Sequence, residues 1–500
     1  MSADAPAWVR DAIFYQIFPD RFAGSARVAK PGPLEAWDTP PTSHGFKGGD
    51  LLGVVEHLEY LVDLGVNALY LTPIFASASN HRYHTYDYLA VDPLLGGNEA
   101  LRELLDAAHE RDMRVILDGV FNHTGRGFWP FHHVLETGAS SPYRRWFHLD
   151  DAALDAGHPL LAYPPAGTPP SALGYRAWWG MAALPKLNTD EPAVREYLFG
   201  VAEHWLRFGI DGWRLDVPTE IDDEAFWQEF RARCRAVQPE AYLVGEIWHL
   251  APDWLLGDRF DALMNYPLAE AILGYAGGAD LDTAVIRAHH EYAGSVIPRD
   301  GATFATKLVE LLSAYDPSTM AVQLNLLGSH DAPRLRTVVG GSTARVRIAA
   351  LLQATLPGAP CLYYGDEIGL TGGSDPASRG SFPWDEGRWE SGLRESVRAL
   401  LRLRNTEPAL RDGPVSVVGA AGSAVAYERG SGVARFVVVA NPGEAAVRLS
   451  LRFADAPPGH GGHLAPIALP GLTGVGEAAI LDGTADVDVA PLAASVLRIV

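Results

Sequence analysis

Carboxylates and basic side chains, with one asparagine among them, recur at the ends of several apolar segments of this 500-residue sequence. They are, in chain order, Asp118, Asn122, His123, Arg214, Asp216, Glu246, His330 and Asp331. Carboxyl groups gathered in a partly desolvated pocket raise the pKa of at least one member, so that one keeps its proton while another stays ionised. Glycoside hydrolysis requires that division between a proton donor and an ionised carboxylate.

The residues around Asp216 favour one version of that chemistry. Arg214 lies two residues earlier on the same face of a predicted strand, where its guanidinium keeps the carboxylate ionised. A nucleophile and an acid about 5 Å apart give retention of configuration, because the nucleophile reaches the anomeric carbon directly. Any one strand-end carboxylate could instead cap a helix. The joint occurrence of Asp216, Glu246 and Asp331 favours an active site.

Eight short apolar or β-rich segments, separated by longer helical patterns, carry these residues. They begin at Ala12, Asn67, Arg114, Asp211, Ala241, Phe260, Ala321 and Pro360. This alternation predicts parallel βα units, and eight strands close a barrel whose active site lies at their carboxyl ends. Before the second segment, residues 51–65 predict a helix that ends at Gly65. Its predicted buried stripe consists of Leu51, Val54, Val55, Leu58, Leu61 and Val62.

The sequence departs from the barrel pattern twice. Residues 124–183 are rich in aromatic residues, His, Pro and Gly, and a loop of this length predicts an inserted subdomain. Its runs FWPFHH and YRAWW are either subdomain core or sugar-stacking surfaces. After residue 411, short alternating segments predict an antiparallel β-sandwich. We therefore predict a (β/α)8 TIM barrel at 1–123 and 184–411, an inserted subdomain at 124–183 and a C-terminal β-domain at 412–500.

The charge and the composition of the chain limit which kinds of binding partner are expected. The formal net charge of −21 repels nucleic acid and anionic membrane surfaces, so neither is an expected partner. The first residues lack a signal-peptide pattern and no apolar run reaches membrane-spanning length, which predicts a cytoplasmic protein. Cys234 and Cys361 are expected to be buried small hydrophobic residues and not a disulfide or metal pair.

Four motifs in chain order, DGVFNH at 118–123, GWRLDV at 212–217, GEIW at 245–248 and GSHD at 328–331, resemble the signatures of the α-amylase family, glycoside hydrolase family 13. The resemblance covers nearly the whole length. LPKLN at 184–188 and LDVPTEID, which follows GWR, are similar to motifs of the cyclomaltodextrinase, neopullulanase and maltogenic amylase group.

The resemblance implies a role for each matching residue. Asp216 becomes the nucleophile, Glu246 the general acid/base, and Asp331 the carboxylate that holds sugar hydroxyls as the ring distorts. The implied sugar-binding residues at the cleavage site are Tyr83, His123, Arg214, His330, Asp375 and Arg379. Glu220 and Trp248 are the candidates for the aglycone-side subsites.

The sequence departs from that group in three places. The first predicted strand begins close to residue 12, so the extra N-terminal β-domain of that group is not expected. That domain helps to build the group's dimers. The chain is therefore predicted to be a monomer or a homodimer. The stretch AGSARVAKPG, from Ala23, lacks the Asn and Asp cluster that binds calcium in many relatives. No cofactor is expected, and calcium is not supported. His84 stands where relatives usually have Asp, which predicts altered selectivity at the cleavage site.

The expected activity is that of a retaining α-glucoside hydrolase. It would cleave α-1,4 bonds of cyclodextrins and short maltooligosaccharides in preference to starch, and the sequence leaves open whether α-1,6 bonds are cut. The alternative is a 4-α-glucanotransferase or isomerising transglycosylase, which uses the same carboxyls but passes the glycosyl group to a sugar hydroxyl. A catalytically inactive binding protein is disfavoured because all three acids are present.

Overall fold

Eight short parallel strands surround the centre of the protein and place their carboxyl ends around one opening. The computed structural model describes residues 5–454 and 462–500. The strands of these residues are β1 (Phe14–Ile17), β2 (Ala68–Leu71), β3 (Phe75–Ser77), β4 (Thr85–Val91), β5 (Arg114–Gly119), β6 (Gly212–Leu215), β7 (Tyr242–Gly245), β8 (Ala262–Leu263), β9 (Leu324–Leu326), β10 (Ala359–Tyr363), β11 (Val415–Ala421), β12 (Ala424–Ser431), β13 (Ala434–Asn441), β14 (Val447–Arg452), β15 (Gly462–Pro466), β16 (Ala478–Ile480), β17 (Thr484–Val489) and β18 (Ala493–Ile499).

The barrel strands pair in the order β8–β7–β6–β5–β2–β1–β10–β9. A parallel bridge between Met264 and Leu324 joins the two ends, and the Asn265 N–H donates to the Leu324 carbonyl at 2.8 Å. The strands are buried along almost their whole length, as strands covered on both sides must be. The predicted (β/α)8 barrel is confirmed, with a strand in each of the eight predicted segments.

Helices cover the outside of the barrel and occupy its long loops. They are α1 (Pro19–Phe22), α2 (Leu51–Glu56), α3 (Leu58–Leu64), α4 (Gly97–His109), α5 (Trp129–Thr137), α6 (Asp151–Asp155), α7 (Pro192–Phe208), α8 (Glu224–Val237), α9 (Tyr266–Gly277), α10 (Thr283–Ala288), α11 (Gly301–Leu312), α12 (Pro317–Met320), α13 (Leu335–Val338), α14 (Thr343–Thr355) and α15 (Leu393–Thr406).

The helix predicted over 51–65 is broken at His57, which has a non-helical backbone. The His57 ring packs 3.8 Å from the Trp384 ring, centroid to centroid, and its Nδ1 lies 2.8 Å from the Gly53 carbonyl. The break shifts the helical phase, so the stripe prediction was wrong at its end: Val62 is 40% exposed and Leu64 is buried in its place. Gly65 ends α3 as predicted, with a left-handed φ of 100°.

The inserted segment has its own aromatic core. Phe128 and Phe131 are buried and pack edge-on against neighbouring aromatic rings, whereas Trp129 of the same run is 51% exposed. Tyr175 is buried, but Trp179 of the second run is 70% exposed. The prediction of a subdomain core is therefore confirmed for the buried members of these runs, and sugar stacking by the exposed ones stays a prediction.

The C-terminal domain is antiparallel, as predicted. Its larger sheet has the order β11–β12–β13–β18–β15–β16, and β14 pairs with β17 in a second, two-stranded sheet. Tyr275 on α9 ties it to the barrel, because its hydroxyl lies 2.9 Å from the Ser423 carbonyl and 2.7 Å from that of Ala440. Both cysteines, Cys234 and Cys361, are buried and unpaired. Among the described residues, no helix is long and apolar enough to cross a membrane.

Candidate active site

The predicted acids meet at the carboxyl end of the barrel. Asp118 lies near the end of β5, Asp216 directly follows β6, and Glu246 directly follows β7. These three strands are neighbours in the barrel, so their carboxyl groups converge. Asp331 comes five residues after β9 and reaches the same opening from across the barrel.

Arg214 joins three of the carboxyl groups. Its side chain is completely buried, and Nη1 lies 2.8 Å from Asp118 Oδ1 and 2.9 Å from Asp216 Oδ1. Nη2 lies 2.8 Å from Glu246 Oε2. A guanidinium has a fixed, planar set of donors, so it fixes the distance between Asp216 and Glu246 as well as compensating their charge. The sequence predicted the contact with Asp216 but not the contact with Glu246.

One oxygen of Asp216 is left free. Oδ1 accepts the hydrogen bond from Arg214, whereas the buried Oδ2 has no hydrogen-bond partner among the described residues. A buried polar atom without a partner is unusual in a folded protein and points to a functional role. Oδ2 is therefore the atom of this site that is available to react with a bound molecule.

Glu246 is oriented by two donors. The Val217 N–H donates to Oε2 at 3.2 Å, and the Trp248 indole N–H donates to Oε1 at 3.3 Å. Val217 adopts a φ of +36°, a left-handed conformation that is strained for a β-branched residue. Strained backbone of this kind is maintained where the surrounding structure needs it, and here it directs an N–H at the carboxylate.

Burial raises the pKa of both Asp216 and Glu246, while Arg214 acts in the opposite direction on each. Two carboxyls that share one guanidinium titrate as a pair and not as independent groups. The raised pKa of Glu246 suits a proton donor. Asp216 receives a direct hydrogen bond from the guanidinium, which favours ionisation of that member of the pair.

The surroundings of Asp331 lower its pKa, in contrast to those of Asp216 and Glu246. His330 Nε2 lies 2.9 Å from Oδ2, and Arg379 Nη2 lies 3.2 Å from Oδ1. Burial raises the pKa of Asp331, but His330 and Arg379 outweigh burial and hold that pKa below its ordinary value. Arg379 also pairs with Asp375 at 3.1 Å, so the predicted Asp375 and Arg379 lie together at this side of the opening. Asp331 stays ionised while its neighbours titrate.

Tyr83 and His330 form a stacked pair beside the carboxyls. Their ring centroids are 5.4 Å apart and nearly parallel, and the Tyr83 hydroxyl donates to Asp118 Oδ2 at 2.9 Å. The amide nitrogen of Gln16 lies 2.8 Å from His330 Nδ1. With Gln16 as donor to Nδ1, the His330 Nε2–H donates to the Tyr83 hydroxyl and also lies 2.9 Å from Asp331 Oδ2.

His123 is buried and its Nε2 has no hydrogen-bond partner among the described residues. Burial lowers the pKa of His123 to about 3, so the imidazole is neutral near pH 7. Its ring stacks on Trp178 at 5.0 Å between centroids. A neutral imidazole with a free ring nitrogen is suited to hydrogen-bond a sugar hydroxyl.

The two predicted aglycone-side residues differ in position. Trp248 contacts Glu246 and stacks on Tyr266, with ring centroids 3.5 Å apart, so it belongs to the central cluster. Glu220 lies at the edge: it is partly exposed and binds Lys186 Nζ at 3.1 Å. The ion pair connects the two motifs that suggested the subgroup, because Lys186 belongs to LPKLN.

Sequence reasoning missed three contributors to this site. Tyr70 donates to Asp118 Oδ2 at 2.7 Å, Gln16 contacts His330 as above, and His289 Nε2 lies 2.6 Å from the Asp331 carbonyl. Tyr70 and Gln16 are interior residues of apolar strands, where a polar side chain is a usable signal. His289 lies outside any motif, so only the folded chain identifies it.

Lys30, in the AGSARVAKPG stretch, places its ammonium group beside a buried carboxylate. Lys30 Nζ lies 3.0 Å from Asp50 Oδ2 and 2.5 Å from the Leu94 carbonyl, and the Asp50 side chain is fully buried. Across residues 5–454 and 462–500, no group of three or more His, Cys, Asp or Glu side chains is placed to hold a metal ion. Lys30 supplies positive charge to Asp50 from within the chain.

Comparison with known proteins gives consistent matches. The family description "Alpha amylase, catalytic domain" matches residues 16–406. A cyclomaltodextrinase from Geobacillus thermopakistaniensis is 44% identical over 418 residues, which are 83% of this chain and 66% of that protein. The chain thus spans about two thirds of that relative's length.

Two solved structures match along nearly the whole chain. The debranching enzyme from Nostoc punctiforme is 44% identical, with a TM-score of 0.86 and full coverage of both chains. The cyclic α-maltosyl-(1→6)-maltose hydrolase from Arthrobacter globiformis is 35% identical, with a TM-score of 0.81, and the match covers 97% of this chain and all of that one.

Proposed function

The chain belongs to the α-amylase family of glycoside hydrolases, and from that premise we propose that it hydrolyses α-1,4-glucosidic bonds in short or cyclic maltooligosaccharides with retention of configuration. The observation that carries the proposal is the arrangement of Asp216 and Glu246 on one buried guanidinium, with Asp216 Oδ2 free. A nucleophilic carboxylate beside a carboxylic acid is the arrangement that retaining glycosidases use.

In the first step, Asp216 Oδ2 attacks the anomeric carbon and forms an ester with the sugar. The glycosidic C–O bond breaks, and the leaving oxygen takes the proton from Glu246. In the second step, Glu246 removes a proton from water, the water oxygen bonds to the anomeric carbon, and the ester bond breaks to release Asp216. Both steps pass through an oxocarbenium-like state. Each step inverts the configuration at the anomeric carbon, so the two steps together retain it.

The other side chains would position the sugar. Asp331, kept ionised by His330 and Arg379, accepts hydrogen bonds from ring hydroxyls as the sugar distorts. His123 offers its free ring nitrogen, and Tyr83 offers the aromatic surface that stacks on the sugar. Trp248 adjoins Glu246, where the leaving group departs, which supports an aglycone-side role.

Cleavage of α-1,6 bonds is the second candidate activity. It is favoured by the full-length match to a debranching enzyme and by the match to a cyclic α-maltosyl-(1→6)-maltose hydrolase. Transfer to a sugar hydroxyl is the third, since the same glycosyl-enzyme ester reacts with either acceptor. Both activities require the same carboxyls, so they differ from hydrolysis of α-1,4 bonds only in what the pocket binds.

One product analysis separates these activities. The enzyme is incubated with maltotriose, a cyclodextrin, pullulan and soluble starch, and the products and their anomeric form are followed by chromatography and NMR. We expect α-anomeric maltose and glucose, formed faster from maltotriose and cyclodextrin than from starch. In the maltotriose incubation, products longer than the substrate would favour transfer. Cleavage of pullulan at its α-1,6 bonds, without release of panose, would favour debranching. β-Anomeric products from any substrate would contradict retention.

A further inference from the structure

A second buried arginine lies close to the Asp331 side of the candidate active site. Arg334 follows Asp331 by three residues, and its side chain is completely buried. Its guanidinium lies over two aromatic rings, with Cζ 4.0 Å from the centroid of the Tyr363 ring and 4.5 Å from that of Tyr364. Contact with two rings restrains a planar guanidinium, so its N–H groups point in fixed directions.

The loop that follows strand β10 accepts hydrogen bonds from this arginine. Residues 370–380, called here the β10 loop, carry Arg379. Arg334 Nε donates to the Ser378 carbonyl at 2.8 Å, and the Arg334 backbone N–H donates to the Gly372 carbonyl at 3.0 Å. Arg334 therefore joins the segment after β9 to both ends of the β10 loop.

The carbonyl groups on both sides of Arg379 are held by buried side chains. The Ser378 carbonyl, before it, lies 3.3 Å from the Tyr363 hydroxyl and also accepts the hydrogen bond from the guanidinium described above. The Gly380 carbonyl, after it, accepts from the Tyr364 hydroxyl at 2.6 Å. The backbone on either side of Arg379 is thus fixed by the two tyrosines over which the guanidinium lies.

Arg379 contacts Asp331 directly. Its Nε donates to the His330 carbonyl at 2.8 Å, and its Nη2 lies 3.2 Å from Asp331 Oδ1. Strong charge-assisted hydrogen bonds are about 2.7–2.9 Å long, so a small displacement of the β10 loop would weaken the contact with Asp331. Arg334 itself forms its ion pair with Asp366, at 3.3 Å, so its effect on Asp331 is indirect.

We propose that Arg334 is a positioning residue that acts through Arg379, because it holds the β10 loop where Arg379 reaches Asp331. The inference rests on the proposed function, since it assumes that Asp331 holds the sugar as the ring distorts. An interaction that strengthens in the transition state contributes to kcat more than to substrate binding. Loss of Arg334 should therefore lower kcat and change KM much less.

The test is a double-mutant cycle between Arg334 and Arg379 in the full-length enzyme, with kcat and KM for maltotriose as the readouts. Arg334→Met is expected to lower kcat about 100-fold, the effect of a displacement of ~1 Å at a group that positions substrate. In the Arg379→Met background, the same substitution should lower kcat no further, because the group through which Arg334 acts is already lost.

Two further variants separate positioning from folding. Tyr364→Phe keeps the ring beside the guanidinium and removes only the hydroxyl that donates to the Gly380 carbonyl. It should lower kcat by a smaller factor, again only where Arg379 is present. Arg404→Met is the matched control, because Arg404 is also fully buried and donates to backbone carbonyls at the end of α14. It should lower the melting temperature and leave kcat unchanged.

Two results would overturn the assignment. An equal fold-loss of kcat in both backgrounds means that Arg334 acts independently of Arg379. A lower melting temperature with unchanged kcat, as in Arg404→Met, means that Arg334 only stabilises the fold. If Arg334→Met does not fold, the cycle of Tyr364→Phe with Arg379→Met decides by the same two criteria. Failure of the proposed function is distinguishable, because the wild-type enzyme would then release no reducing sugar from maltotriose.

Discussion

At the scale of single residues, Arg214 organises the chemistry. It contacts Asp118, Asp216 and Glu246, and among the oxygens of these three carboxyl groups Asp216 Oδ2 alone has no hydrogen-bond partner in the described part of the chain. Breaking one contact of a buried charged cluster leaves the remaining charges uncompensated, so substitutions of Arg214 would disturb folding as well as activity. Isosteric changes at the carboxyls test the catalytic roles more cleanly.

Asp216→Asn and Glu246→Gln are each expected to lower kcat by several orders of magnitude while the fold is kept. The amides keep the size of each side chain, but an amide neither attacks carbon nor transfers a proton. Activity on maltotriose and the melting temperature are the measurements. Asp112→Asn, at an exposed surface aspartate, is the matched control and should match the wild type. Near-normal turnover in either variant would exclude that residue from bond cleavage.

The pH dependence of kcat/KM should be bell-shaped. As pH falls, Asp216 and Glu246 are both protonated and the nucleophile is lost; as pH rises, the pair loses its last proton and the acid is lost. Because burial raises the pKa of both groups, the alkaline limb should lie above the ordinary glutamate value of about 4.3.

A pH–rate profile of Glu246→Gln on an activated aryl glycoside, whose leaving group needs no proton, isolates this limb. The alkaline limb should disappear in the variant. Its persistence there would assign the titrating acid to another residue.

At the scale of elements, buried charged side chains connect a loop to the start of the helix that follows it. Asp50 caps the start of α2 by accepting from the Gly53 N–H at 2.7 Å, and it also accepts from the Ser25 N–H at 2.9 Å. Lys30 completes this arrangement from the loop after α1. The loop between α1 and α2 is thus held in place by side chains and backbone of the chain itself.

Chelators are therefore expected to leave activity and melting temperature unchanged, whereas Lys30→Met should lower the melting temperature. The substitution leaves the buried Asp50 carboxylate without its partner charge, which is costly in a desolvated position. Thermal unfolding with and without EDTA is the measurement, and Lys307→Met, at a partly exposed ion pair with Glu310, is the control. Loss of activity on EDTA treatment that calcium restores would reveal a metal site.

At the scale of the whole molecule, the C-terminal sheets pack on the barrel through a shared hydrophobic core, which includes Tyr427 and Val438, and through buried polar contacts. Tyr275 from α9 reaches two carbonyls of the β-domain, and the Tyr427 hydroxyl lies 2.5 Å from Thr355 Oγ1 at the end of α14. These contacts fix the β-domain to helices on the outside of the barrel, away from the carboxyl ends of the strands.

Tyr275→Phe should lower the melting temperature without changing kcat/KM for maltotriose. The substitution removes the hydroxyl that donates to the buried Ala440 carbonyl, at a cost of about 1–3 kcal/mol. Calorimetry together with activity measurements checks this. Tyr163→Phe removes a hydroxyl from a 75% exposed tyrosine and should alter neither quantity. A parallel fall in activity would mean that the β-domain supports the active site.

The sequence alone determined the parts of this protein that depend on local patterns. Alternation of short apolar segments with helical ones identifies all eight barrel strands. Strands that are buried on both faces consist almost entirely of apolar residues, and such runs are visible in the sequence. The carboxyl ends of parallel strands must meet, so the sequence by itself places Asp216 and Glu246 together. Arg214 was linked to Asp216 by the two-residue period of a strand.

Only the tertiary structure decided contacts between segments that are distant in sequence. Gln16 meets His330, Glu246 meets Arg214, and Trp179 approaches His290, each through packing that no local period encodes. The break at His57 has the same origin, since its ring leaves the helical pattern to pack on Trp384. Local sequence fixes which residues lie at the ends of strands. The relative placement of loops, and with it the shape of the opening, follows from how side chains fill the space between elements.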